Sequence, residues 1–361
     1  MGDATLQWTT GVDGDRLWLR WADGGRGAFG WVGPDGAWAD VLTGDRTVLG
    51  ASVAADAGVI AFVAADADQP GEVAVARLDG SGERTLTDRN GGWRRDRTLG
   101  PTRRVRATGP GRTPIEAWLT LPPADGLSQS PHPTIVSIHG GPHYPVGERF
   151  SFETHRLAAL GYAVLAPNPR GSLGYGDGFG RAVVGDWGGD DLRDVLALVD
   201  AAVASGDVDP SRLVVTGVSY GGYLALWAVT QDQRFRLAIA ENGISDLVGA
   251  FGTGEDAGAA FASEMGGLPW ERRDTWVDRS PLHHADAIRT PVLLLHAELD
   301  QNCTIAQSEQ LYAALRTLGR EVSFVRVPGE GHLMDLMGSA RFRYARMALI
   351  EDALREAIGE P

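Results

Sequence analysis

Gly217-Val218-Ser219-Tyr220-Gly221-Gly222 places a serine between glycines, with a strand-like run before it and a helix-like run after it. Upstream, Ser211 to Thr216 is a short β-branched apolar run bounded by Asp209-Pro210; downstream, Tyr220 to Val229 lacks proline and is rich in Leu, Ala and Trp. The serine therefore sits where a strand turns into a helix. Glycine at 217 and 221 lets the two backbones approach and tolerates dihedral angles that push the hydroxyl clear of a sheet, the geometry of a nucleophile elbow. With 49 glycines in 361 residues, a bare G-x-S-x-G arises readily by chance. The flanking strand and helix distinguish this one from an ordinary glycine-rich turn.

A serine nucleophile needs a base, an acid that orients the base, and donors for an oxyanion; in this type of site the partners follow in the order Ser, Asp, His. Pro291 to His296 reads as a buried strand, and Asp300 stands just beyond its carboxyl end, where open α/β sheets place their ligands. The competing reading of Asp300 is a helix N-cap, since an amphipathic helix follows from Ala306 to Leu318. Glu321 to Val327 alternates as another strand and ends in Pro328-Gly329-Glu330-Gly331-His332, so His332 also rides a loop at a strand end. Glu298 competes for the acid role but follows directly on its strand, where its side chain is pinned at the rim. His283 and His284 lie beside Pro281, and His296 ends a strand as a core residue or as a support behind the site. His332 alone combines the glycines, the loop and the chain order.

Ile138-His139-Gly140-Gly141-Pro142 follows the apolar run from Thr134, and paired glycines let backbone N–H groups face a substrate oxygen. The expected oxyanion donors are the N–H groups of Tyr220 and Gly141. The bland reading is a tight Gly-Gly-Pro turn.

Together with Asp209-Pro210-Ser211-Arg212, Tyr223 after the elbow, and Asn168-Pro169-Arg170-Gly171-Ser172-x-Gly174-Tyr175-Gly176, these motifs resemble the prolyl oligopeptidase family of serine peptidases, most closely its acylaminoacyl-peptidase branch. The resemblance covers residues 103 to 361. It implies an α/β-hydrolase domain with Ser219 as nucleophile, Asp300 as orienting acid, His332 as general base and a β-propeller cap. Two residues after the catalytic aspartate, acylaminoacyl peptidases and prolyl oligopeptidases usually carry an arginine that holds a substrate carbonyl. This chain has Asn302, as the dipeptidyl-peptidase branch does, which implies a neutral hydrogen bond to substrate instead.

Composition prunes the alternatives. The formal net charge of -14 and pI near 5.0 argue against nucleic acid or an anionic membrane as partner. No apolar run approaches the roughly 18 residues of a membrane helix, and Met1-Gly2-Asp3-Ala4 begins no signal peptide, so the expectation is a soluble cytoplasmic protein. The single Cys303 excludes an internal disulfide or multi-cysteine zinc site and reads as a small buried side chain. All 33 basic residues are arginine, which excludes Schiff-base, Walker A and Ser-Lys chemistry. No cofactor or metal is expected: Asp186, Asp190, Asp191 and Asp194 read as the start of a helix running to about Val203, with Leu192, Val195, Val199 and Val203 as its buried stripe. The glycine-rich run from Gly171 to Gly180 lacks the frame of a dinucleotide fingerprint.

Eight strands are expected between 103 and 361: Arg103 to Thr108, Ile115 to Leu121, Thr134 to Ile138, Tyr162 to Ala166, Ser211 to Thr216, Leu237 to Glu241, Pro291 to His296 and Glu321 to Val327. Helical periodicity marks Glu153 to Leu160 and Ala340 to Ile358 as well. An opening hairpin followed by alternating β and α predicts an eight-stranded, mostly parallel sheet with helices on both faces. Gly252 to Pro269 shows no clear period and is expected to be a pocket insertion, with Phe251, Phe261 and Trp270 either lining it or packing in the core.

Residues 1 to 95 differ. Asp15 to Trp21 alternates as a strand and Gly58 to Ala64 repeats it; Ala28 to Gly36 is echoed by Glu72 to Gly80. That spacing is one propeller blade of four short strands, and about two units fit. Two blades cannot close a ring, so three explanations stand: a fragment of a longer protein, a shortened propeller packed on the hydrolase domain, or blades completed in a homo-oligomer. The shortened propeller is preferred here, and it predicts a more open cleft. The functional expectation is a serine peptidase acting on short or N-acylated peptides. A carboxylesterase on the same fold is the alternative, and an inactive interaction protein a third.

Overall fold

The computed structural model describes residues 4–5, 16–124, 129–255 and 257–360. An all-β region comes first, then an α/β domain. The first contains β1 (Ala4–Thr5), β2 (Leu17–Asp23), β3 (Arg26–Val32), β4 (Trp38–Leu42), β5 (Thr47–Ala54), β6 (Val59–Ala65), β7 (Glu72–Arg77) and β8 (Arg84–Thr85). These form two antiparallel four-stranded units, β1 to β4 and β5 to β8, joined by one parallel bridge between Gly27 and Thr47. Asp15, expected to open the first strand, lies outside the described residues. The inward face of this sheet carries Trp18, Phe29, Ile60 and Phe62, with Trp18 stacked on Phe29 at 5.5 Å.

A short helix α1 (Gly91–Arg95) leads to the second sheet, built from β9 (Thr102–Thr108), β10 (Pro114–Thr120), β11 (His132–Ile138), β12 (Ala163–Asn168), β13 (Val208–Val218), β14 (Phe235–Glu241), β15 (Val292–Ala297) and β16 (Val322–Val327). Its order is β16-β15-β14-β13-β11-β12-β10-β9; β9 and β10 form the antiparallel hairpin and the other six strands run parallel. All eight expected strands are present. The fifth is longer than expected: β13 starts at Val208, ahead of Asp209-Pro210. A register irregularity against β11 falls between His132 and Thr134, and proline is tolerated at such a strand start.

The helices are α2 (Phe152–Ala159), α3 (Asp177–Arg181), α4 (Asp190–Ala204), α5 (Tyr220–Gln231), α6 (Leu247–Thr253), α7 (Ala257–Glu264), α8 (Arg273–Asp278), α9 (Ala306–Thr317), α10 (Met334–Met337) and α11 (Ala340–Ile358). Helix α5 is buried from Tyr220 through Thr230, as an apolar helix without a polar face must be. Helix α4 buries Leu192, Val195, Leu198 and Val199, while Val203 is only half-buried. The 252–269 segment carries helix α7, which its small-residue sequence conceals from periodicity.

Two backbone bonds tie the regions together. The tight turn of the β2–β3 hairpin donates Gly24 N–H to the Gly174 carbonyl at 2.9 Å and accepts Glu148 N–H on the Gly25 carbonyl at 2.8 Å. A Cβ on Gly147 would fall 1.7 Å from the Gly25 oxygen, so side-chain-free backbone is a condition of this seam.

Candidate active site

Strand register assembles the site. Ile138 pairs with Gly217, Val218 with Glu241, Glu241 with Leu295, and Ala297 with Val327. Five neighbouring strands, β11 and β13 to β16, therefore end at one level, and the loops bearing His139–Gly141, Ser219, Asp300 and His332 leave from the same edge.

Ser219 occupies the turn between β13 and α5 with φ 60 and ψ -121, a region that non-glycine residues enter only at a cost. The cost is imposed by close backbone packing. A Cβ on Gly217 would lie 2.4 Å from the Gly221 backbone, and one on Gly221 would lie 2.2 Å from the Ile138 oxygen. Ser219 N–H donates to the Glu241 carbonyl at 2.9 Å, and its side chain reaches the buried Cys303 thiol, which burial pushes above its ordinary pKa. A thiol held in that state is no second nucleophile.

Asp300 does not cap a helix, because α9 begins at Ala306 with Ile305 ahead of it; the carboxylate closes a turn instead. Its Oδ2 lies 2.8 Å from His332 Nδ1, while Oδ1 accepts the N–H groups of Asn302 and Cys303, each at 2.9 Å. The side chain is fully buried, so the carboxylate cannot swing away. Glu298 instead pairs with Arg326 at 3.0 Å on the surface. His296 is buried between Ser308 Oγ and the Cys303 carbonyl, and burial lowers its pKa. His332 is the histidine that Asp300 holds at hydrogen-bond distance. The Asn302 side chain is exposed at the rim.

The His139–Pro142 loop lies against the elbow: a Cβ on Gly140 would sit 3.3 Å from the Val218 carbonyl and 3.8 Å from Ser219 Cβ. Gly141 has φ 122, where a side chain would strike His143 N at 2.2 Å. Tyr220 opens α5, so its N–H belongs to the first turn, which lacks intrahelical acceptors and favours negative charge. Its phenol donates to the buried Asp191 carboxylate at 2.6 Å. His139 Nδ1–H donates to its neighbour's carbonyl, and Nε2 lies 2.9 Å from Ser172 Oγ; burial lowers its pKa to about 4, so the ring is neutral. Arg170 anchors the Ser172 loop through a two-point bond to buried Asp194, at 2.8 Å on each oxygen. The aspartates of α4 are thus structural, and no group of metal-ligating residues occurs among the described residues.

Phe251 packs edge-on against exposed Trp270 and buried Trp276, and Phe261 packs on Trp187, whose ring meets Tyr220. Through Phe261, the 252–269 segment packs on Trp187 and so against the first residue of α5. Sequence reasoning missed Asn242 and the Glu241–Arg346 pair beside Ser219. The only signal for Asn242 was Asn-Gly at a strand end.

A serine elbow over this sheet order, with aspartate and histidine from the next loops in sequence, defines an α/β hydrolase. Residues 148–360 match the model of the prolyl oligopeptidase family, and the chain belongs to that family. It is 38% identical over 285 residues to the uncharacterized peptidase YuxL of Bacillus subtilis, covering 78% of this chain and 43% of that one. It is 33% identical over 223 residues to dipeptidyl-peptidase 5 of Porphyromonas gingivalis, covering 60% and 32%. Acylaminoacyl peptidase of Pyrococcus horikoshii superposes with a TM-score of 0.89 at 27% identity, over 97% of this chain and 55% of that one. The chain spans about half the length of these relatives or less. Among the described residues, no helix is long and apolar enough to cross a membrane.

Proposed function

We propose that the chain is a serine peptidase that cleaves short or N-acylated peptides through an acyl-enzyme. Ser219 Oγ attacks the scissile carbonyl while His332 Nε2 takes its proton. Asp300 holds the imidazole through Nδ1–H, and the N–H groups of Tyr220 and Gly141 bind the oxyanion. The proton on His332 then passes to the leaving amine, and water repeats the sequence to release the acid. The observation that carries this reading is the 2.8 Å bond between buried Asp300 and His332, on loops leaving the same sheet edge as strained Ser219. Asn302 is assigned to a substrate carbonyl. Residues 1–95 are read as two propeller-type blades and 103–361 as the catalytic domain. Peptide cleavage is supported by family membership, and the N-acylated substrate class by the likeness to the Pyrococcus horikoshii enzyme.

Fluorophosphonate labelling that disappears in Ser219→Ala is the expected result, and a folded wild-type chain that takes up no probe overturns the proposal. Turnover of an acylated amino-acid anilide against a matched p-nitrophenyl ester separates the chemistries: activity on the ester alone replaces the peptidase by a carboxylesterase.

A further inference from the structure

Strand β14 ends at Glu241, and the corner Glu241-Asn242-Gly243 touches all three arms of the site. The Glu241 carbonyl accepts Ser219 N–H at 2.9 Å, and Asn242 N–H donates to the Leu295 carbonyl of β15 at 2.9 Å. The fully buried Asn242 side chain spans the remaining gap: Oδ1 accepts Ala297 N–H at 2.8 Å, and Nδ2 donates to the His332 carbonyl at 2.8 Å. Ala297 is the last residue of the strand that leads to Asp300.

We infer that Asn242 is a positioning residue for His332, fixing the backbone of the general base relative to Asp300 and Ser219; this rests on the role proposed above for those residues. His332 sits in Pro328-Gly329-Glu330-Gly331, a loop whose glycines leave it many conformations. The Asp300 bond holds one ring nitrogen but allows the residue to pivot about it. Leu299 N–H on the Glu330 carbonyl, at 3.0 Å, steadies the loop two residues earlier. Asn242 reaches the histidine residue itself, and two fixed points leave Nε2 one direction.

The choice of asparagine follows from the same geometry. Residue 242 has φ 46, a left-handed conformation that asparagine and glycine enter most readily. The site also demands one acceptor, facing Ala297 N–H, and one donor, facing the His332 carbonyl, on a single short side chain. Aspartate supplies the acceptor alone and glycine neither. The amide cannot be turned over without setting N–H against N–H and oxygen against oxygen.

Asn242→Gly keeps the backbone conformation and removes both bonds; Asn242→Asp keeps the Ala297 bond and loses only the donor. Each variant, once shown folded by circular dichroism and thermal melting, is assayed for fluorophosphonate labelling rate and for kcat and KM on an acylated amino-acid anilide. Both are expected to lower kcat and labelling about ten- to a hundredfold with KM changed by less than about twofold, as for a misplaced catalytic group. In a His332→Ala background, Asn242→Gly is expected to add almost nothing, because residues acting as a unit are not additive. Wild-type kcat in Asn242→Asp, or an undiminished loss on top of His332→Ala, overturns the inference while leaving labelled Ser219 intact. An unlabelled wild-type chain overturns the reading beneath it instead.

Discussion

Asp300 holds His332 with one carboxylate oxygen while its other oxygen closes the turn that follows, so the carboxylate is held in place independently of the histidine. Asp300→Asn replaces an acceptor with a donor or turns the amide against the Asn302 and Cys303 N–H groups. Turnover is expected to fall roughly a hundred- to ten-thousandfold, by loss of the correct imidazole tautomer. Glu298→Gln, which breaks only the surface pair with Arg326, should change kcat by less than about threefold. Steady-state kinetics on one anilide substrate decide between them, and the reverse ranking moves the acid to Glu298.

Packing at the elbow leaves no room for a methyl group. Gly221→Ala sets Cβ 2.2 Å from the Ile138 oxygen, and a cost of at least about 3 kcal/mol is expected in urea unfolding, with loss of probe labelling. Gly178→Ala, inside α3 with nothing within 4 Å, is the control and should stay within about 1 kcal/mol of wild type.

Burial pushes the Asp191 carboxyl up to about 6, against the pull of the Tyr220 hydroxyl and the N–H groups of Gly188 and Leu192. The folded chain keeps a proton there that the unfolded chain has released near 3.8, so this group's contribution to stability falls as pH rises between those values. Tyr220→Phe removes one donor to the ionised form. Its cost, about 1–3 kcal/mol, should be full at pH 8 and smaller at pH 5, where Asp191 is protonated in the fold. Equal losses in urea unfolding at both pH values refute the assignment.

Arg346 is buried in α11 and pairs with Glu241 at 2.5 and 2.6 Å, and with Glu153 at 3.0 Å. Arg346→Met strands the Glu241 carboxylate and is expected to cost about 3–5 kcal/mol, whereas Arg346→Met with Glu241→Gln recovers a good part of it. Additive losses in the double variant would show that the pair is not coupled.

How much was legible in the sequence follows from how local each signal is. The eight strands of the α/β domain are apolar runs bounded by turn residues. Ser219, Asp300 and His332 are singled out by the loops they occupy, and the proposed function rests on them. Helix α7 does not, because Ala257-Gly258-Ala259-Ala260 gives no amphipathic contrast. Pairings across long chain separations, such as Glu241 with Arg346 and Asn242 with His332, leave no local periodicity at all. Their residues look like ordinary charges and amides until the strands bring them together.

The seam at Gly24 and Gly25 limits how the N-terminal sheet can move. The hairpin turn is bonded to Gly174, in the loop that supports His139, and to Glu148, downstream of the Gly141 turn. A swing of the N-terminal sheet about the stretch between β8 and β9 must break both backbone bonds and pull on the supports of the His139–Pro142 loop. Parting the two regions therefore carries a cost that reaches the loop packed beside Ser219.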